Sequence, residues 1–123
     1  MRQEIENSAL RPIEQAENGG QRCFLFREDF VGFGGHFPDY PILPAVLQVL
    51  LAQMVAEQLI GKKMEFSSLV RAKFSEQLRP DMPIDVRVTY SEQEGCYLCR
   101  CELHTAEKRA ASFTLQLEEE SHL

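Results

Sequence analysis

His36 stands in a stiff stretch of chain. It comes after Gly34-Gly35 and precedes Phe37-Pro38-Asp39-Tyr40-Pro41-Ile42-Leu43-Pro44. Prolines at 38, 41 and 44 fix φ at every third residue and hold the path extended, so the imidazole has a defined place relative to the next element. That element is an apolar run from Ala45 to Ile60, and Pro44 suits the first turn of a helix. The first turn of a helix carries unpaired N–H groups, here those of Ala45 and Val46 among them. With the helix dipole they make a site for a negatively charged oxygen. An imidazole beside such a helix end is the arrangement that proton abstraction next to a carbonyl requires: the base takes the proton and the helix end stabilises the enolate oxygen. The other two histidines lack this setting, His104 lying in a strand-like run and His122 in a polar tail.

The cysteines point away from metal or redox chemistry. Cys96-Tyr97-Leu98-Cys99 has the spacing of a zinc or dithiol pair, but no second CxxC or His pair exists to complete a tetrahedral site. Strand alternation would put Cys96 on one face of a sheet and Cys99 and Cys101 on the other. With Cys23 they are expected to be reduced packing residues, and no metal or other cofactor is expected.

Positioning the histidine falls to a small set of elements. The run Ala45–Ile60 is apolar on nearly every side of a helical wheel and ends at Gly61-Lys62-Lys63, a helix stop. A helix of that kind must be enclosed by other structure. About ten large apolar side chains on it, each worth roughly 1.5–3 kcal/mol when buried, can drive a one-helix core. Before it, Arg11–Ala16 and Arg22–Arg27 read as strands around the turn Glu17-Asn18-Gly19-Gly20, and residues 29–44 read as irregular. After it come four strand-like runs. In the first, Phe66–Leu78, Val70, Ala72 and Phe74 would share one face, with Arg71, Lys73 and Ser75 on the other. In the second, Ile84, Val86, Val88 and Tyr90 alternate with Asp85, Arg87 and Thr89. The third is Cys96–Thr105, and in the last Ala111, Phe113, Leu115 and Leu117 alternate with polar residues. The first ten residues carry little pattern and are expected to fray or to form a short edge segment; the tail at 119–123 is polar and expected to be mobile.

One antiparallel sheet curling around one helix gives an α+β domain that takes up the whole chain, residues 1–123. Its long edge strands invite pairing with a second copy, so a dimer is expected, a homodimer or a heterodimer with a relative. The 123 residues include 13 Lys+Arg and 19 Asp+Glu, a net charge of -6 with no basic stripe, which argues against nucleic-acid binding. Ile42–Ile60 approaches the length of a membrane span but is broken by Pro44, Gln48, Gln53, Glu57 and Gln58. The opening residues lack the apolar core of a secretory signal, and a cytoplasmic protein is expected.

The segment Gly35-His36-Phe37-Pro38-x-x-Pro41-Ile42-Leu43-Pro44-Ala45-Val46-Leu47 resembles the signature of the FabZ and FabA type 3-hydroxyacyl-acyl-carrier-protein dehydratases. It is most similar to the smaller ApeI-like dehydratases, where a Gln also occurs near the position of Gln48. The likeness extends more loosely to Arg71-Ala72-Lys73-Phe74 and Arg79-Pro80-Asp81. It implies a hot-dog fold, a dimer with one continuous sheet, and a substrate held as an acyl thioester, on acyl carrier protein or coenzyme A, in a tunnel at the dimer interface. In this chain the tunnel would be bounded by Phe33, Gly35, Phe37, Pro44, Val46, Leu50 and Gln53. His36 matches the catalytic base. Ala45 stands where the family commonly has Gly, and its N–H would polarise the thioester carbonyl.

The family's acid falls fourteen positions after the His, where this sequence has Leu50. A positioned acid contributes about 10²–10⁴ in rate. Gln53 cannot donate as a carboxylic acid does, and Glu57 lies two helical turns on, about 10 Å along the axis. The loop carboxylates Asp39 and Asp29 are better substitutes, with Tyr40 a further polar candidate. Three readings stand open. The chain is a dehydratase with an unconventional acid; or an acyl-thioester-binding subunit, including one that pairs with an acid-bearing relative; or a hot-dog thioesterase, since fold alone does not choose among thioester chemistries.

Overall fold

The computed structural model of the chain describes residues 1–33, 41–106 and 108–120. A short helix, α1 (Arg2–Glu6), opens the chain ahead of two short strands, β1 (Glu14–Ala16) and β2 (Gly19–Phe24). The strands are joined by Glu17-Asn18 with Asn18 at φ 56°. Asn tolerates this left-handed conformation. The central helix α2 (Ala45–Ile60) ends at Gly61, whose φ of 83° only glycine adopts without strain, and the Gly61 N–H closes the helix onto Glu57 O at 2.8 Å. Four longer strands complete the chain: β3 (Met64–Phe74), β4 (Ile84–Gln93), β5 (Cys96–His104) and β6 (Arg109–Glu119). Glu94 and Gly95, both at positive φ, make the tight turn between β4 and β5.

All six strands form one antiparallel sheet in the order β1-β2-β4-β5-β6-β3. Alternation along β4, β5 and β6 aligns side chains in rows across the helix-facing side. One row is Val86–Leu103–Ala111 and the next is Val88–Cys101–Phe113, each residue at most 3% exposed. Leu51, Ala52, Val55 and Ala56 of α2 are wholly enclosed, and the helix packs on β2, β3 and β4. Cys99 and Cys101 share the inner face while Cys96 is half-buried, as the alternation requires. Burial pushes the Cys99 thiol up to about 12 and raises Cys101 as well.

Several expectations need correction. The first ten residues hold more than a short edge segment: they form α1, whose Ile5 is 1% exposed, before Ala9 bridges Phe24, Leu10 N donates to Cys23 O and Ser8 O accepts from Leu25 N, both at 2.9 Å. The first strand is shorter, starting at Glu14, and the second begins and ends three residues earlier than expected. β3 ends at Phe74, and it pairs with β6 rather than with its chain neighbour β4. Two bulges, between Phe66 and Ser68 and between Val70 and Lys73, break its alternation. Val70 and Lys73 therefore pair with Thr114 and Ser112 on the outer face, while Phe74 pairs with Ala111 on the inner face. Arg71, at φ 54°, lies inside the second bulge. Nor is the helix enclosed throughout: Ala45 and Val46 are exposed, Val46 at 73%.

Candidate active site

The start of α2 is an open helix terminus. Pro44 is the N-cap, extended at φ -68° and ψ 153°, and supplies no side-chain cap. Backbone hydrogen bonding begins one turn in, where Leu47 N and Gln48 N donate to Pro44 O at 3.0 and 3.1 Å. Among the described residues the N–H groups of Ala45 and Val46 have no partner. Two such donors, at the positive end of a 16-residue helix, can receive negative charge on an oxygen.

The approach to this terminus is held from two sides. Leu43, 2% exposed, donates its N–H to Leu78 O at 2.8 Å, and its C=O accepts from Gln48 Nε2 at 3.0 Å. The turn Val31–Phe33 packs alongside, where a Cβ at Gly32 would collide with the Phe30 ring and the Leu47 side chain. Glycine permits that close approach.

Further along the helix the polar residues are already engaged. Gln53 Nε2 donates to Met64 O at 3.2 Å, and Glu57 Oε2 accepts the Met64 N–H at 3.0 Å. The pair brackets the first residue of β3. Glu57 Oε1 also accepts from Arg2 Nη1 at 2.6 Å. Glu57 is the one carboxylate between Ala45 and Ile60, and it is committed to holding the fold.

Of the residues expected to bound a substrate, Pro44 and Val46 are exposed at the helix start and Leu50 is half-buried on the same helix. Phe33 is buried at the end of an aromatic chain, edge-on to Phe30 at 5.6 Å, with Phe30 in turn 4.5 Å from Phe26. Gln53 is in place but its amide N–H is taken by the backbone. Gly35, His36, Phe37 and Asp39 lie outside the described residues. His104 sits 2.7 Å from Glu102, and that hydrogen bond holds the Glu102 carboxyl below its usual range. Sequence reasoning missed the bracket on Met64 and the Gln48 clamp. Their one signal was the presence of Gln48, Gln53 and Glu57 in a helix otherwise almost wholly apolar.

One antiparallel sheet wrapped around a single long helix is a hot-dog fold. The chain belongs to the ApeI-like dehydratase family, whose model, described as ApeI dehydratase, matches residues 13–120. It is 35% identical over 94 residues to the 3-hydroxyacyl-[acyl-carrier-protein] dehydratase FabZ of Halalkalibacterium halodurans. That match covers 68% of this chain and 66% of the relative, so the chain spans just under two thirds of the relative's length. Among solved structures, the dehydratase heterocomplex ApeI:P of Xenorhabdus doucetiae superposes with a TM-score of 0.75 at 24% identity, covering 90% of this chain and 96% of the other. A hypothetical thioesterase of Streptococcus pneumoniae, solved with coenzyme A, gives a TM-score of 0.71 at 8% identity over 98% of this chain and 94% of that one. These two likenesses bear on fold. No helix among the described residues is long and apolar enough to cross a membrane.

Proposed function

We propose that this chain contributes the base and the oxyanion donor to a 3-hydroxyacyl-thioester dehydratase, and that the acid comes from a second hot-dog chain carrying a helix carboxylate. The observation that carries the reading is the central helix itself. Its first turn offers the N–H groups of Ala45 and Val46, which have no partner among the described residues, while Leu50 stands where the family resemblance implies an acid and Glu57 is tied to Arg2 and Met64. Family membership supports His36 as the base.

In the proposed reaction His36 removes the C2 proton of the acyl chain while the Ala45 N–H receives the growing negative charge on the thioester oxygen. The enolate collapses, the C2–C3 double bond forms, and the C3 hydroxyl leaves as water with a proton from the partner's acid. Water loss and alkene formation balance with no external reagent. A substrate on acyl carrier protein is favoured by the FabZ relatives, and a shared site by a structural neighbour that is itself a dehydratase heterocomplex. The edge of the sheet supports a second chain. On β3, Phe66, Leu69 and Phe74 face the helix side yet are 50%, 36% and 40% exposed, apolar surface that a partner would cover.

The test is turnover of a 3-hydroxyacyl thioester, monitored by enoyl absorbance, for the chain alone and mixed with an acid-bearing hot-dog chain. Alkene formation is expected in the mixture, and His36→Ala should reduce it by about 10²–10⁴. Activity untouched by His36→Ala, or free thiol released without alkene, would overturn the assignment; the second outcome identifies a thioesterase. Asp39→Asn tests the alternative acid: if the chain alone is active and this change abolishes it, the acid is local and no partner is needed.

A further inference from the structure

We propose that Gln48 is a positioning residue, whose buried amide sets the backbone that presents the Ala45 and Val46 N–H groups to a thioester oxygen. The inference rests on the oxyanion reading above and takes it one layer deeper into the fold. A helix start is usually closed by a Ser, Thr, Asp or Asn side chain that takes up the free N–H groups of the first turn. Pro44 cannot do this. A second device pairs an apolar residue just before the cap with one at the fourth helical position, fixing the angle at which the chain enters. Those two positions here are Leu43 and Gln48, and a hydrogen bond joins them, from Gln48 Nε2 to Leu43 O at 3.0 Å.

With the Leu43 N–H held by Leu78 O at 2.8 Å, both polar groups of Leu43 are fixed. The chain is thereby aimed into Ala45 without consuming the N–H of Ala45 or Val46. A cap of the usual kind would have occupied the Val46 or Leu47 N–H, beside the Ala45 donor. The other end of the amide is the second observation. Gln48 is 4% exposed, and its Oε1 is buried with no hydrogen-bond partner among the described residues. For packing alone Leu or Met would fill the volume without stranding a polar atom. An amide whose N–H is used and whose oxygen is not is retained for the N–H.

Gln48→Met removes the donor and the stranded oxygen at nearly constant volume. The thermal midpoint should stay level or rise, while kcat of the mixture with the acid-bearing chain falls about 10²-fold with KM within about twofold, the pattern of a misplaced transition-state donor. Gln48→Glu keeps the shape but donates to Leu43 O only when protonated, so its kcat should rise as the pH falls, a limb absent from the wild type. Wild-type kcat in Gln48→Met, or a loss matched by a loss of folded protein, would overturn the proposal. A binding readout separates this from failure of the dehydratase assignment. The amide resonances of Ala45 and Val46 are tracked by NMR during titration with butyryl-pantetheine, a thioester with no hydroxyl to lose. Shifts in the wild type that vanish in Gln48→Met support the positioning role even without turnover. Equal shifts in both proteins overturn it, and absent shifts in the wild type overturn the oxyanion reading along with it.

Discussion

Arg2 Nη1 lies 2.6 Å from Glu57 Oε1, so the amino-terminal helix is fastened to the last turns of the central helix by an ion pair whose acid is 8% exposed. The other Glu57 oxygen takes the Met64 N–H. One side chain thus joins α1, α2 and the start of β3. Arg2 is half exposed, so solvent screens its share, and Arg2→Ala should lower stability by only about 1 kcal/mol. Glu57→Ala strands both Arg2 and the Met64 N–H and should cost about 2–4 kcal/mol. Urea midpoints measure both. Because the carboxylate is structural, Glu57→Gln should leave turnover per folded molecule within about twofold; a 10²-fold loss would make Glu57 an acid after all.

Leu50 stands fourteen residues after His36, where the dehydratase resemblance implies an acid. If the carboxylate is the one missing group, Leu50→Glu should raise dehydration by the chain alone by about 10² or more. The comparison is the rate of enoyl formation with and without the acid-bearing partner. A variant that folds and stays at background would mean that the site lacks more than an acid.

The inner-face thiols carry a pH dependence of stability. The Cys99 pKa is raised from 9.0 to about 12, chiefly by burial, and Cys101 is raised for the same reason. Below about pH 9 both the folded and unfolded chains keep these protons, and the contribution is complete. Above it the unfolded chain ionises while the folded chain does not, so stability should fall by up to about 1.4 kcal/mol per pH unit per thiol until the folded pKa is reached. Urea unfolding between pH 8 and 10 reads the slope. Cys99→Ala should flatten it, whatever it does to the stability at pH 8.

The β3 edge should mark the interface with a second chain. Leu69 ends the inner-face row Tyr90–Cys99–Leu115 at the sheet edge, and Phe74 ends the row next but one. Leu69→Lys with Phe74→Lys should shift the assembly to monomer in sedimentation while leaving the far-ultraviolet circular dichroism unchanged. A wild type that sediments as a monomer would remove the shared-site reading.

The sequence made α2 legible because its apolar run is long and covers nearly every side of the helix, and β4 to β6 because each buries one side with a period of 2. It misled at β3, where two inserted residues reset the period; Val70 and Phe74 share a face by parity but not in the sheet. The short helix α1 escaped notice because one buried residue, Ile5, is no period at all. At the site, the Pro44–Ala45 terminus could be read from Pro44 and the apolar run after it. The partners of Gln48, Gln53 and Glu57 could not be read, because Leu43 O and the Met64 backbone are main-chain groups that any residue would supply.

The same irregularities that spoiled the reading of β3 also limit what the strand can recruit. Uninterrupted, an edge strand of eleven residues would be a template onto which any extended chain could add without end. Cut at two places, the strand leaves only short straight pieces with their own offsets, so an incoming strand must carry matching breaks to lie down along it. Amyloid-like stacking is disfavoured by geometry before any charge is considered, and the choice of mate is restricted to chains bent in the same way.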